Sequence, residues 1–195
     1  MSQHQQLAEK IVTDIHQNRH SGATELSRDA LVHLSHYADS MCALSPIQCK
    51  MNLRILGENL RYLRPSMAPL QNILGEWLAK LEELPTKNTA HLTSDVKALC
   101  ERIIGEIRSR QLNLVGHAIH CLSKANIIMT LSRSSAVLEV FKNLPQSPLG
   151  FIVCESRPAC EGKTLATELA SSDVSVEYIV DAAIGNHIQQ ADAVV

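Results

Sequence analysis

Aromatic residues are scarce: one Trp, three Tyr and two Phe, 3% of a 195-residue chain. Any core must therefore be aliphatic, built from Leu, Ile, Val and Ala. No apolar run approaches the length of a membrane span, and Met1–Asn18 is polar, without the apolar stretch of a signal peptide. A net charge of −2 leaves no basic surplus for a polyanion. Neither nucleic acid nor a membrane surface is expected as partner. The six cysteines, Cys42, Cys49, Cys100, Cys121, Cys154 and Cys160, form no C-x-x-C pair and are too sparse for a disulfide scaffold. They read as reduced thiols, mostly small core residues, and the expected location is the cytoplasm. Internal repeats and low-complexity tracts are absent as well.

What is present suits a globular protein of one domain or two small ones, with 45% hydrophobic and 19% charged residues. The first part has helical rhythm. Leu7, Ile11 and Ile15 form one stripe; Ser21-Gly22 break the chain; Leu26, Ala30, Leu31, Leu34 and Tyr37 mark a second helix. Pro46 suits the first turn of a third, carrying Met51, Ile55, Leu60 and Leu63, with Pro65 after its end. A fourth runs through Leu70, Ile73, Leu74, Trp77, Leu78 and Leu81 to Pro85. Thr93-Ser94-Asp95 can cap a fifth, with helical character continuing, interrupted, to Leu122.

From Asn126 the period changes. Asn126–Thr130, Gly150–Glu155, Val174–Asp181 and Asp192–Val195 are strand-length apolar runs. Between them lie the helix-length segments Ser134–Asn143, Gly162–Ser171 and Ala182–Gln189, with Pro145 and Pro148 punctuating the first return. Such alternation predicts parallel βαβ units with right-handed crossovers. The expected fold class is thus α then α/β: a helical domain over 1–122 and an incomplete Rossmann-like parallel-sheet domain over 123–195. A sheet ending in Ala193-Val194-Val195 offers an apolar edge. Either a partner covers that edge or the domain continues beyond Val195; continuation is the expectation preferred here.

The strongest local signal is Phe151–Leu169 (FIVCESRPACEGKTLATEL). An apolar strand ends in Glu155-Ser156-Arg157-Pro158 and a helix restarts after Gly162-Lys163, which is how an α/β sheet presents a ligand site. Arg157 supplies a planar cation for phosphate or carboxylate, Lys163 a second cation, and the helix start its amides. The plainer alternative is a surface loop with an Arg–Glu pair and a helix cap. In Thr130–Ser135 (TLSRSS), the Ser132 and Ser134 hydroxyls and Arg133 suit a phosphate, unless Ser132 or Ser134 simply caps the next helix. This is neither a Walker loop nor G-x-G-x-x-G. Asp181 closes a strand and either caps the following turn or binds a ligand hydroxyl. Cys160 is a candidate reactive thiol. The sets His117/His120/Cys121, His33/His36 and His16/His20 have metal-like spacing but no evident further ligand. Ordinary histidines are the better reading, and neither metal nor cofactor is expected.

Taken together, Ile127–Lys142 (IIMTLSRSSAVLEVFK), Phe151–Ala166 (FIVCESRPACEGKTLA) and Val176–Val195 (VEYIVDAAIGNHIQQADAVV) resemble the initiation factor 2B alpha/beta/delta family; Ser21–Leu31 (SGATELSRDAL) does so more weakly. That family includes regulatory subunits of a translation-factor exchange complex. It also includes aldose–ketose isomerases acting on ribose 1,5-bisphosphate and methylthioribose 1-phosphate. The resemblance implies a helical domain, a Rossmann-like domain, and assembly of like or related subunits through the latter. It also implies, for the isomerases, a cysteine after the first strand and an aspartate in a later glycine-rich segment. Ser132 matches the cysteine position, and the aspartate segment would follow Val195. The R-G-A motif of the isomerases is matched by Ser21-Gly22-Ala23, so of the family's anion-binding arginines only Arg157 is kept. A serine is too weak an acid to replace a thiol without special activation. The resemblance therefore points to a non-catalytic regulatory or assembly protein, with a sugar phosphate or nucleotide as candidate ligand. The alternative is an isomerase whose longer gene product supplies the missing groups.

Overall fold

The computed structural model describes residues 3–18, 21–145, 149–171 and 174–195. Pro148 and His20, named above for a turn and a histidine pair, lie outside them. The architecture is a helical part followed by an α/β part with a parallel sheet, as the sequence pattern predicts. The chain divides into two compact units, Met1–Ser109 and Arg110–Val195.

In the first unit, α1 (Gln3–Gln17), α2 (Ala23–Asp39), α3 (Pro46–Tyr62), α4 (Ala68–Glu83) and the first part of α5 (Thr89–Leu122) enclose an aliphatic core around Trp77. Ser45 caps α3 in a reciprocal box with Gln48, and Pro46 occupies the first turn. The α3 stripe differs from expectation. Cys49, Leu53, Leu56, Gly57 and Leu60 are buried, whereas Met51 and Ile55 are 61% and 48% exposed. Both sets have helical spacing, so periodicity alone does not choose between them. Contact with α4 does: a Cβ on Gly57 would stand 2.8 Å from the Trp77 ring and 2.9 Å from Leu78, so the two helices meet at this glycine.

The fifth helix also departs from expectation. It starts at Thr89, where the Asn88 carboxamide oxygen accepts the Ala90 and His91 amides at 2.8 and 3.4 Å. Thr93 caps nothing: it is buried inside the helix and donates to the Ala90 carbonyl at 3.1 Å. The helix then runs without interruption to Leu122. Two long cations close other helix ends. Lys50 Nζ donates to the Glu82 and Leu84 carbonyls at 2.7 and 3.0 Å, satisfying the end of α4. Arg64 Nη2 donates to the His16 and Asn18 carbonyls at 2.7 and 2.6 Å, closing α1.

In the second unit, β1 (Ile127–Thr130), α6 (Ser135–Lys142), β2 (Gly150–Cys154), α7 (Glu161–Ala170), β3 (Ser175–Ile179) and β4 (Ala193–Val194) build a sheet of order β3-β2-β1-β4. Every described pairing is parallel. Alternation along the strands divides the sheet between two cores. Ile128, Phe151 and Val153 pack with α6, α7 and the last turns of α5. Met129, Ile152, Cys154 and Ile179 pack with Ala183, Ile184 and Ala191. The expected helix over Ala182–Gln189 is broken into a 3₁₀ turn (Asp181–Ala183), a single α-turn, α8 (Ile184–His187), and a second 3₁₀ turn (Ile188–Gln190). Val194 in β4 and Val195 just after it are 48% and 39% exposed.

Of the cysteines, Cys49, Cys100 and Cys154 are buried, Cys42 and Cys121 are exposed, Cys160 is intermediate, and all are free. Burial pushes the Cys49 thiol up to about 11 and the Cys100 thiol up to about 12, so both stay protonated core groups. Cys100 Sγ also accepts the Trp77 indole N–H at 3.2 Å.

Candidate functional site

The chain lays β2 and β3 on one side of β1 and then returns to place β4 on the other. The carboxyl ends of β1 and β4 thereby flank the crevice in which sheets of this order take ligands. Two loops leave the carboxyl ends of neighbouring strands here: Leu131–Ser134 after β1, beside the crevice, and Glu155–Cys160 after β2. The Ser156 hydroxyl donates to the Leu131 carbonyl and ties one loop to the other.

The second loop is tightly wound. Ser156 and Cys160 adopt φ of 61° and 53° without being glycines. The Cys160 amide donates to the Ser156 carbonyl at 2.8 Å, and the Gly162 amide to the Glu155 carbonyl at 3.3 Å. Gly162, the second residue of α7, lies directly against the end of β2. A Cβ there would lie 1.8 Å from the Cys154 carbonyl oxygen, so only glycine lets the helix begin at this point.

Asp181 holds the loop from the far side. Its Oδ1 accepts the Ser156 amide at 2.9 Å and its Oδ2 the Arg157 amide at 2.8 Å. Asp181 is itself the first residue of the following 3₁₀ turn, whose N-cap position is Val180. Both readings offered for Asp181 from sequence, helix cap or ligand hydroxyl acceptor, miss this role. The signal for it was absent from local pattern, because Asp181 and Ser156 are 25 residues apart.

Arg157 leaves the loop with its side chain 69% exposed; Nε is 4.0 Å from Oε1 of Glu155, which is itself 20% exposed. Arg157 Nη1 approaches Cys160 Sγ at 3.8 Å. The Arg–Glu pair of the plainer alternative is therefore present, but long and solvated, and such pairs hold little energy. Ser132 is half-buried, and its hydroxyl has no hydrogen-bond partner among the described residues. Ser134 stands at the N-cap of α6 but makes no side-chain capping bond.

Not every sequence candidate joins this cluster. Arg133 turns to α7, its Nε and Nη2 both 3.1 Å from Glu168 Oε1. Lys163 lines an open depression with Thr167, Val176 and Tyr178, a set that does not include Arg157. Gly22 belongs to the first unit, where it is the N-cap residue of α2, and its relation to this loop is not assigned. Among the described residues no cluster of three or more His, Cys, Asp or Glu side chains is arranged to hold a metal, and no helix is long and apolar enough to cross a membrane. Two further residues were not among the sequence candidates for the site. The Tyr178 phenol is 43% exposed; partial desolvation and then the charges of Cys160, Glu155 and Asp181 raise it against the lowering effect of Arg157. Asp192 anchors β4 at the opposite end of the sheet, its Oδ2 accepting the Asn126 and Ile127 amides at 2.8 and 2.9 Å.

The sequence profile of the Initiation factor 2 subunit family matches residues 7–195. The chain belongs to this family. Within it, the chain is similar to a translation initiation factor eIF-2B subunit 2-like protein of Pyrococcus abyssi, 29% identical over 187 residues that cover 93% of this chain and 62% of that protein. It is also similar to a ribose 1,5-bisphosphate isomerase of Haloterrigena turkmenica, 27% identical over 175 residues, covering 89% and 53%. Among solved folds, a chain of the tetrameric eIF2B-beta2-delta2 complex from C. thermophilum superposes with a TM-score of 0.75 at 16% identity, covering 99% of this chain and 66% of that one. The family thus holds translation-factor subunits and sugar-phosphate isomerases alike, and the chain spans less than two thirds of the length of either relative.

Proposed function

We propose that this family member is a regulatory or assembly subunit that binds a phosphorylated small molecule between Arg157 and Ser132 without converting it. The observation that carries the reading is the state of Ser132. It stands where the isomerase resemblance requires a cysteine, and its hydroxyl has no base bonded to it among the described residues. An unactivated serine does not move protons at neutral pH. Arg157, by contrast, presents a mostly exposed guanidinium from the loop after β2, paired only loosely with Glu155 and Cys160, with the planar fork that phosphate recognition uses.

Under this reading Glu155 and Asp181 shape the loop, the Ser132 and Ser134 hydroxyls face the ligand, and Arg133 and Lys163 contribute only to the surrounding positive field. Assembly with a second copy or with related subunits proceeds through the α/β domain, proposed to span 123–195. The tetrameric state named for the C. thermophilum complex supports assembly with related subunits, though not which domain carries it.

The similarity to ribose 1,5-bisphosphate isomerases favours a second reading, in which the protein still interconverts an aldose and a ketose phosphate. Thermal-shift measurements with millimolar sugar phosphates and nucleotides test the first. Stabilisation that disappears in Arg157→Ala is the expected result, and no stabilisation by any of them contradicts it.

A further inference from the structure

We infer that Asp181 is the positioning residue of this site, an inference that rests on the reading of Arg157 as its anion anchor. The Glu155–Cys160 loop places two residues bearing a Cβ in the left-handed region, Ser156 at φ 61° and Cys160 at 53°. Such a winding persists only where its surroundings over-determine it. Here the Ser156 and Arg157 amides point the same way and form a concave nest of the kind that holds anions. The occupant is internal. Asp181 reaches in from the segment after β3 and gives one carboxylate oxygen to each amide, at 2.9 and 2.8 Å.

Two consequences follow for the ligand. The nest is filled by the protein's own carboxylate, so a phosphate takes its charge complement from the Arg157 side chain rather than from these amides. The same two bonds fix the Arg157 backbone, so the direction in which its guanidinium leaves the loop depends on Asp181. Charge-assisted bonds of this type are short and strong compared with neutral ones. An asparagine has one acceptor oxygen and an NH₂ group, so it satisfies one amide and opposes the other with a donor. Asp181→Asn is therefore nearly as disruptive as Asp181→Ala, although it keeps shape and volume.

The test uses the full chain labelled for amide NMR, with inorganic phosphate as probe. In the wild type, a through-hydrogen-bond coupling links the Arg157 amide nitrogen to the Asp181 carboxyl carbon, a readout that needs no variant. In Asp181→Asn, the Ser156 or Arg157 amide exchanges roughly tenfold faster or more, and phosphate affinity falls roughly tenfold, while amides of β1 and β2 keep their protection. Absence of the coupling, or phosphate affinity that is unchanged or tighter once the amides are freed, overturns the inference. A wild type that shows the coupling but binds no phosphate contradicts the Arg157 reading instead. The exchange data then decide alone whether Asp181 holds the turn.

Discussion

Gly162 faces the carbonyl of Cys154 so closely that a Cβ on it would lie 1.8 Å from the oxygen. This contact sets where α7 leaves the end of β2, and with it the course of the Glu155–Cys160 loop. Backbone, not a flexible side chain, is the obstacle, so the strand end or the helix start must move to accept any other residue. Gly162→Ala is expected to destabilise the protein by about 3 kcal/mol or more. Urea denaturation measures it, and a loss below about 1 kcal/mol would show that the loop relaxes easily.

The two apolar stripes of α3 give a second expectation. Leu53 is fully buried and Met51 is mostly exposed. Leu53→Ala should cost about 3 kcal/mol, while Met51→Ala should stay within about 0.5 kcal/mol. Equal losses at the two positions would mean that α3 is rotated relative to the arrangement described.

Asp192 gives a pH dependence. The Ile127 amide, then the Asn126 amide, hold its carboxyl below the usual carboxylate range. In the unfolded chain the group binds its proton more readily. Its contribution to stability is thus complete above the ordinary carboxylate pKa and is lost as pH falls through the depressed folded value. Wild type should exceed Asp192→Ala in denaturation midpoint at neutral pH, with the gap closing below about pH 4. A gap that persists or widens in acid would remove Asp192 as the cause.

Much of the fold was legible because its signals are local. Pro46 and the helical spacing around Leu26–Tyr37 placed α3 and α2, and the strand-length runs placed all four described strands. Where two local readings were equally good, the sequence offered no way to choose. The Met51/Ile55 and Leu53/Leu56 stripes differ only through contact with α4, and Thr93-Ser94-Asp95 imitates a cap that Asn88 actually supplies.

The site was legible to a lesser degree. Arg157 and Glu155 stood out as candidates because the strand-to-helix junction is contiguous in sequence. The roles of Asp181 and Asp192 depend on bonds spanning 24 residues or more, to Arg157 in one case and to Asn126 and Ile127 in the other. No local pattern encodes such distances. The same holds for Arg133, whose pairing with Glu168 spans 35 residues.

The central claim, binding at Arg157 without turnover, is tested most directly by ³¹P NMR of ribose 1,5-bisphosphate in the presence of the protein. The account predicts broadened substrate resonances that sharpen in Arg157→Ala, with no new ketose-phosphate signal on prolonged incubation. Growth of that signal with wild-type protein, or resonances that stay sharp throughout, would contradict it.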